Sequence, residues 1–373
     1  MKKNSAVPLP EDLFIFDAHC DTASMLFDQP WSFARNPGHL DLQKIRRGGL
    51  KAQVFALWVD PLLAPQRAMK RALQLLQTME QKVFQPGLAA KVTSAAEMAE
   101  ALERKKLAAW LFLEGGHIIE NSQEILHIFY ALGVRGMTLT HSKNTDWADS
   151  TTDTPRANGL TALGRSIVRQ MAEMGMAIDI SHAADKTIAQ VLKTTPVPIM
   201  ASHSNARKLC PIPRNLKDEF IREIAARRGF IGANFFPAFL RRRVFDQIEE
   251  NFKKYEKEIQ ERSRGHLDDP DFLSRVEWEY YLQAATGTDP VGLEDVIDHI
   301  VHIAATGGID CVGLGSDFDG IPSTPAGLAD AAAFPALAAA LQKRGFRQGE
   351  IRKICGLNLK NFLRRVEKKG RGA

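Results

Sequence analysis

Eight short apolar runs, each followed by a longer amphipathic or polar stretch, set the strongest constraint on how this 373-residue chain folds. They lie at residues 14–16, 52–59, 108–113, 136–139, 177–180, 198–201, 230–234 and 311–315. Runs of this kind read as βα units, because parallel strands are buried on both faces and need a crossover between them. Segments 66–83, 160–174 and 291–305 carry apolar residues at three- and four-residue spacing, as helices packed outside such a sheet require. Eight units predict an α/β fold closed as a (β/α)8 barrel of the TIM type, an architecture that uses about 250 residues or more as one cooperative unit. We expect one barrel domain over residues 1–373. The stretch from 241 to about 287 breaks the rhythm: it is highly charged, has helical spacing over 245–259, and then a Ser-Arg-Gly turn. It predicts a helical insertion after the seventh strand, serving as a lid, an oligomer contact or a solvated excursion.

Composition mainly excludes. A hydrophobic content of 45% and a charged content of 25% remove the disordered and collagen-like classes. The net charge of +5 is dispersed, with its densest basic runs at 241–243 and 368–371 and no basic helix interleaved with aromatics. No nucleic-acid partner is expected. The first residues hold two lysines, then prolines and an acidic pair, where a leader would need an apolar core and a cleavage site. No later run is long and apolar enough to span a bilayer, so no membrane partner is expected. Cys20, Cys210, Cys311 and Cys355 are far apart without CxxC spacing, which suggests reduced thiols in a cytoplasmic protein.

Metal-ligand residue types recur where the apolar runs end. His19 and Asp21 follow the first run in FDAHCDT, two apart and hence on one side of an extended chain. Glu114 closes WLFLEGG after the third run, where burying a carboxylate is costly without a cation or donors. His182 and His203 follow the fifth and sixth runs, and Asp317, with Asp319 two residues on, follows the eighth. Imidazole and carboxylate suit zinc, and a carboxylate can bridge two ions. Two ions about 3.5–4 Å apart would share a hydroxide whose parent water has its pKa lowered toward roughly 7. Singly, each residue has a plainer explanation: a histidine after a strand is usually a cap or core residue, Glu114 could cap a helix, and Asp317 could sit in a turn. Five such coincidences at five strand ends are harder to accept than one shared site.

The motifs FDAHCDT, LEGG, LTHSKNTDWAD, DISH, SHSN, PIPRN and GSDFDG appear in this order between residues 16 and 320. In them the chain resembles the membrane dipeptidase (renal dipeptidase) family, zinc peptidase family M19 of the metal-dependent amidohydrolase superfamily. The resemblance implies a zinc-dependent dipeptidase, L-Xaa-D-Xaa substrates included. It implies two Zn2+ per chain, with other divalent metals left open: His19 and Asp21 hold one, His182 and His203 the other, and Glu114 bridges them. It further implies that His141 contacts the scissile carbonyl or its tetrahedral successor, that Arg214 grips the substrate's terminal carboxylate, and that Asp317 handles protons. A planar guanidinium at a fixed distance from the metals would favour dipeptides over longer chains. Two other readings stay open: a metal-dependent hydrolase of another amide, lactone or phosphoester, and a non-catalytic ligand-binding barrel.

The chain also departs from the family. The signal peptide, inter-chain cysteine and lipid anchor of secreted mammalian members are not seen, which points to a cytoplasmic relative. An aromatic with a hydroxyl is expected near NFFP, but Phe235 and Phe236 carry none. The preferred dipeptide, and whether the protein is a homodimer or a higher homo-oligomer, are left open.

Overall fold

A computed structural model describes residues 13–370. The expectations placed on residues 1–12 and on Arg371 lie outside the described residues. Among the described residues nine strands form: β1 Ile15–Cys20, β2 Leu50–Trp58, β3 Ala89–Lys91, β4 Leu107–Glu114, β5 Val134–Thr138, β6 Ala177–Asp179, β7 Met200–Ala201, β8 Phe230–Ala233 and β9 Val312–Leu314. All pair in parallel, and the β2–β4 and β1–β9 pairings close β1, β2, β4, β5, β6, β7, β8 and β9 into the expected eight-stranded barrel. The unexpected strand, β3, is only three residues long and lies against the first residues of β4. Because β2 occupies one edge of β4, β3 shares the other edge with β5 and stays outside the ring.

The lower barrel interior is apolar. Phe16, Val54, Trp110, Phe112, Met200 and Phe230 pack there with Leu359, Phe362, Leu363 and Val366 of the C-terminal helix Asn358–Gly370. Toward the C-terminal strand ends the interior turns polar, with Glu114, Thr138, Asp179, Ser202 and Asn234 all buried. The backbones there crowd together: a Cβ added to Gly232 or to Gly315 would stand 2.0 Å from the Ser202 carbonyl oxygen, so only glycine fits.

One local irregularity aims the first two site residues. Asp17 pairs with Gln53 but Cys20 pairs with Phe55, so β1 spends three residues where β2 spends two. The slip changes the phase of alternation between Phe16 and Cys20. Phe16 belongs to the inner cluster, yet Cys20 joins the outer core between barrel and helices, which turns His19 and Asp21 inward.

The expected helical insertion follows β8, as helices Arg242–Lys254, Glu256–Ser263 and Pro270–Ala284. The single helix expected over 245–259 is two, broken at Tyr255, whose ring packs on Tyr280 with centroids 5.1 Å apart. The Ser-Arg-Gly turn is present, with Gly265 at φ +86°. Helix Pro270–Ala284 crosses the strand ends. Near its middle Glu277 feels Asp60 and Lys143, which follow β2 and β5, while Tyr281 packs on Phe236 after β8. Among the described residues no helix is long and apolar enough to cross a membrane.

Candidate active site

Glu114, the last residue of β4, is 2% exposed and stands at the centre of the site. Its Oε2 lies 3.3 Å from His19 Nε2, and its Oε1 lies 3.5 Å from His182 Nε2 and 3.4 Å from His203 Nε2. His19 Nε2 is also 3.4 Å from Asp21 Oδ2 and 3.8 Å from Asp317 Oδ1. The strand ends thus gather all five residues expected as ligands, and one carboxylate faces an imidazole on each side. Three overlapping groups have ligand atoms within 4.8 Å of one another: His19, Glu114 and His203; Glu114, His141 and His182; and His19, Asp21 and Asp317.

Buried carboxylates and imidazoles shift one another strongly in this cluster. Burial opposes a charge on His19, but the carboxylates of Glu114 and Asp21 outweigh it and raise its pKa well above the usual histidine value. Burial, followed by the neighbouring Glu114 charge, lifts Asp21 to about 7. Burial, with Arg214 and the other histidines, holds His182 and His203 far below the usual value, so both keep a lone pair for a ligand bond. His19 Nε2 and Asp21 Oδ1 are buried without a hydrogen-bond partner, as expected of atoms shaped for an ion instead. His182, like Asp317, has a positive φ (+66° and +64°), and strain of this kind collects at functional sites.

The other expected residues surround this centre. His141 packs against His182 at 4.4 Å and edge-on to Trp58 at 5.6 Å between ring centroids. Burial lowers its pKa to about 3, so the ring is neutral, and its Nδ1 has no partner. Arg214, 5% exposed, donates from Nη1 to Ser204 Oγ and from Nη2 to the His203 carbonyl, both at 2.9 Å. Its buried Nε has no partner. Burial lowers the guanidinium pKa to about 10, which still leaves it charged. Asp319 is not brought into the cluster: it accepts from Thr22 Oγ1 at 2.7 Å and from the His39 backbone at 2.6 Å, and so braces the loop beside Asp21.

Sequence reasoning missed the residues beneath the expected ligands. Asp17 accepts from the Ser316 backbone and hydroxyl and from Gln53; Asp179 accepts from Thr138, Ser181 and Ser202; Asn234 donates to Asp317. Their signal was a polar residue inside or ending an apolar run. A hydroxyl-bearing aromatic does stand beside Phe236, though not at position 235 or 236. Tyr281, from the insertion, places its ring 6.3 Å from that of Phe236, and burial, Glu249 and Asp317 together raise its phenol.

Residues 3–372 match the membrane dipeptidase family, peptidase family M19. Dipeptidase tcpJ of Claviceps purpurea (strain 20.1) is 31% identical over 345 residues, covering 88% of this chain and 70% of that protein. The solved structure of the dipeptidase AC, described as a metallo peptidase of family M19, is 26% identical with a TM-score of 0.77, covering 95% of this chain and 99% of that one. A metallo peptidase from Rhodobacter sphaeroides, liganded with a phosphinate mimic of L-Ala-D-Ala, is likewise 26% identical at a TM-score of 0.77 and covers 95% and 100%.

Proposed function

Since this chain belongs to the membrane dipeptidase family, hydrolases of peptidase family M19, we propose that it is a two-zinc dipeptidase whose substrates include L-Xaa-D-Xaa dipeptides. The observation that carries this reading is the divided Glu114 carboxylate, Oε2 toward His19 and Oε1 toward His182 and His203. The donor set fits a pair of ions: His19 and Asp21 would hold one, His182 and His203 the other, and Glu114 would bridge. Bound there, the ions supply a hydroxide nucleophile at neutral pH and polarise the peptide carbonyl.

The chain's own residues complete the chemistry. Asp317 stands beside His19 with its pKa raised by burial, and it would take the proton of the attacking water and return it to the departing amine. Neutral His141 would donate an N–H to the carbonyl oxygen as negative charge develops on it. Arg214 keeps Nε–H and its remaining Nη protons for the substrate's terminal carboxylate, the planar fork that a carboxylate matches. The Rhodobacter sphaeroides relative supports the L-D stereochemistry, since the dipeptide its phosphinate ligand copies is L-Ala-D-Ala.

The test is metal analysis together with a screen of L-L and L-D dipeptides. We expect two zinc ions per chain and release of free amino acids, with little cleavage when the C-terminal carboxylate is amidated. A metal-replete chain that turns over no dipeptide would sink the proposal.

A further inference from the structure

We infer that Asp179 and Ser202 form a relay that fixes the tautomer of His203 and thereby sets the affinity of one of the two metal positions. The inference rests on the two-ion reading above.

Asp179 is 1% exposed and accepts from four donors. Its Oδ1 takes the backbone N–H groups of Ser181 at 3.0 Å and Ser202 at 2.9 Å. Its Oδ2 takes the Thr138 hydroxyl at 2.8 Å and the Ser202 hydroxyl at 2.5 Å. A carboxylate so surrounded acts only as an acceptor. The Ser202 proton therefore points at Asp179, and the Ser202 oxygen turns a lone pair toward His203 Nδ1, 2.7 Å away. Nδ1 must carry the imidazole hydrogen. Nε2 is then left as a lone pair facing Glu114 Oε1 and His182, the form a metal requires.

The arrangement is one-sided. Asp17 and Ser316 lie beneath His19 in a similar pairing, but the Ser316 hydroxyl, bonded to Asp17 at 2.6 Å, otherwise faces the His19 backbone carbonyl at 3.2 Å rather than its ring. A weakened relay should thus disturb the His182 and His203 position and spare the His19 and Asp21 one.

The geometry also forces the outcome of an isosteric change. In Asp179→Asn the position receiving two backbone N–H donors must be the amide oxygen, so the NH2 falls where Oδ2 now faces Ser202. The amide would donate to Ser202, the Ser202 proton would swing to His203 Nδ1, and the imidazole hydrogen would move to Nε2, where it blocks coordination. Ser202→Ala merely removes the tautomer's anchor. Thr138→Val removes another donor to the same carboxylate, at nearly constant volume, and leaves the Ser202–His203 bond in place.

The experiment titrates metal-free full-length chain with Zn2+ against a chelator of known affinity, resolving two dissociation constants, and records the melting of each metal-free variant. We expect one constant to rise roughly 10–100-fold in Ser202→Ala, the range typical of lost outer-shell partners, and further in Asp179→Asn. The second constant should stay within a few-fold, and Thr138→Val should match the wild type. The relay is overturned if Asp179→Asn binds as tightly as Ser202→Ala or the wild type, or if Thr138→Val loses as much. It is also overturned if both ions weaken together with metal-free melting. A wild-type chain holding fewer than two ions would instead overturn the two-ion reading, and the relay with it.

Discussion

The side-chain amide of Asn234, just past β8, donates to Asp317 Oδ2 at 2.8 Å, just past β9. This bond ties up one oxygen of the proposed proton carrier and leaves Oδ1 facing His19. In Asn234→Ala the carboxylate should lose its aim, and one of the groups that lowers its pKa with it. We expect kcat for a dipeptide to fall roughly tenfold, part of the 10²–10⁴ that a positioned acid–base group contributes, with metal content unchanged. A kcat equal to wild type would remove Asn234 from the site's working parts.

Gly320 backs directly onto two carboxylates of the proposed site. A Cβ there would stand 2.1 Å from Asp21 Oδ2 and 2.9 Å from Asp317 Oδ1, well inside van der Waals contact. Gly320→Ala should push Asp21 off its position and cost most of the metal bound on the His19 side, which atomic absorption after dialysis would read. Normal metal content in a folded Gly320→Ala protein would show that the loop gives way and that Asp21 is not held as tightly as the distances indicate.

Much of this was legible from residue order. The eight apolar runs mark the barrel strands, since a fully buried parallel strand needs little more than a short apolar run bounded by polar residues. His19, Glu114, His182 and His203 stand out as polar residues at the ends of such runs. What escaped depends on three-dimensional packing. The one-residue slip in β1 cannot be seen without its partner, although it decides that Cys20 points outward and His19 inward. Asp179 is hidden inside an apolar run, because its worth lies in donors from β5 and the loop after β7. Tyr281 belongs to a helix that returns over the strand ends from far along the chain, so no local pattern near Phe236 announces it.

Arg214 allows the substrate's free carboxylate to be tested apart from the chemistry. Its two Nη groups are braced by Ser204 and the His203 carbonyl, so Arg214→Lys keeps the charge but loses both the fork and its orientation. Arg214→Ala should cost about 2–5 kcal/mol in kcat/KM for dipeptides, the range for removing one member of a buried charge pair, and Arg214→Lys should recover only part of it. A dipeptide amide, lacking the partner charge, should lose far less. An equal loss on acid and amide would mean that Arg214 shapes the site without gripping a carboxylate.

The loop that follows His141 folds around a single buried carboxylate, and its stability should follow that group's titration. Asp149, 1% exposed, accepts from the backbone N–H groups of Arg156 at 2.8 Å, Ala157 at 2.7 Å and Gly159 at 2.7 Å. Burial pushes its pKa up, but these backbone donors together pull it below the usual aspartate value. A lowered folded pKa means that the stabilisation is fully present above the unfolded value of about 3.9 and is lost as pH falls through the folded one. Asp149→Asn should therefore destabilise by about 1–3 kcal/mol at neutral pH, the cost of weakening charged hydrogen bonds at a buried position. The gap between wild type and variant in denaturant midpoint should hold constant down to about pH 5 and narrow below about pH 4. Because Ser150 donates to the His141 carbonyl and Thr151 to that of His182, the variant's loosened loop should also lower kcat. A gap that widens on acidification would show that Asp149 is not held as an anion in the folded protein.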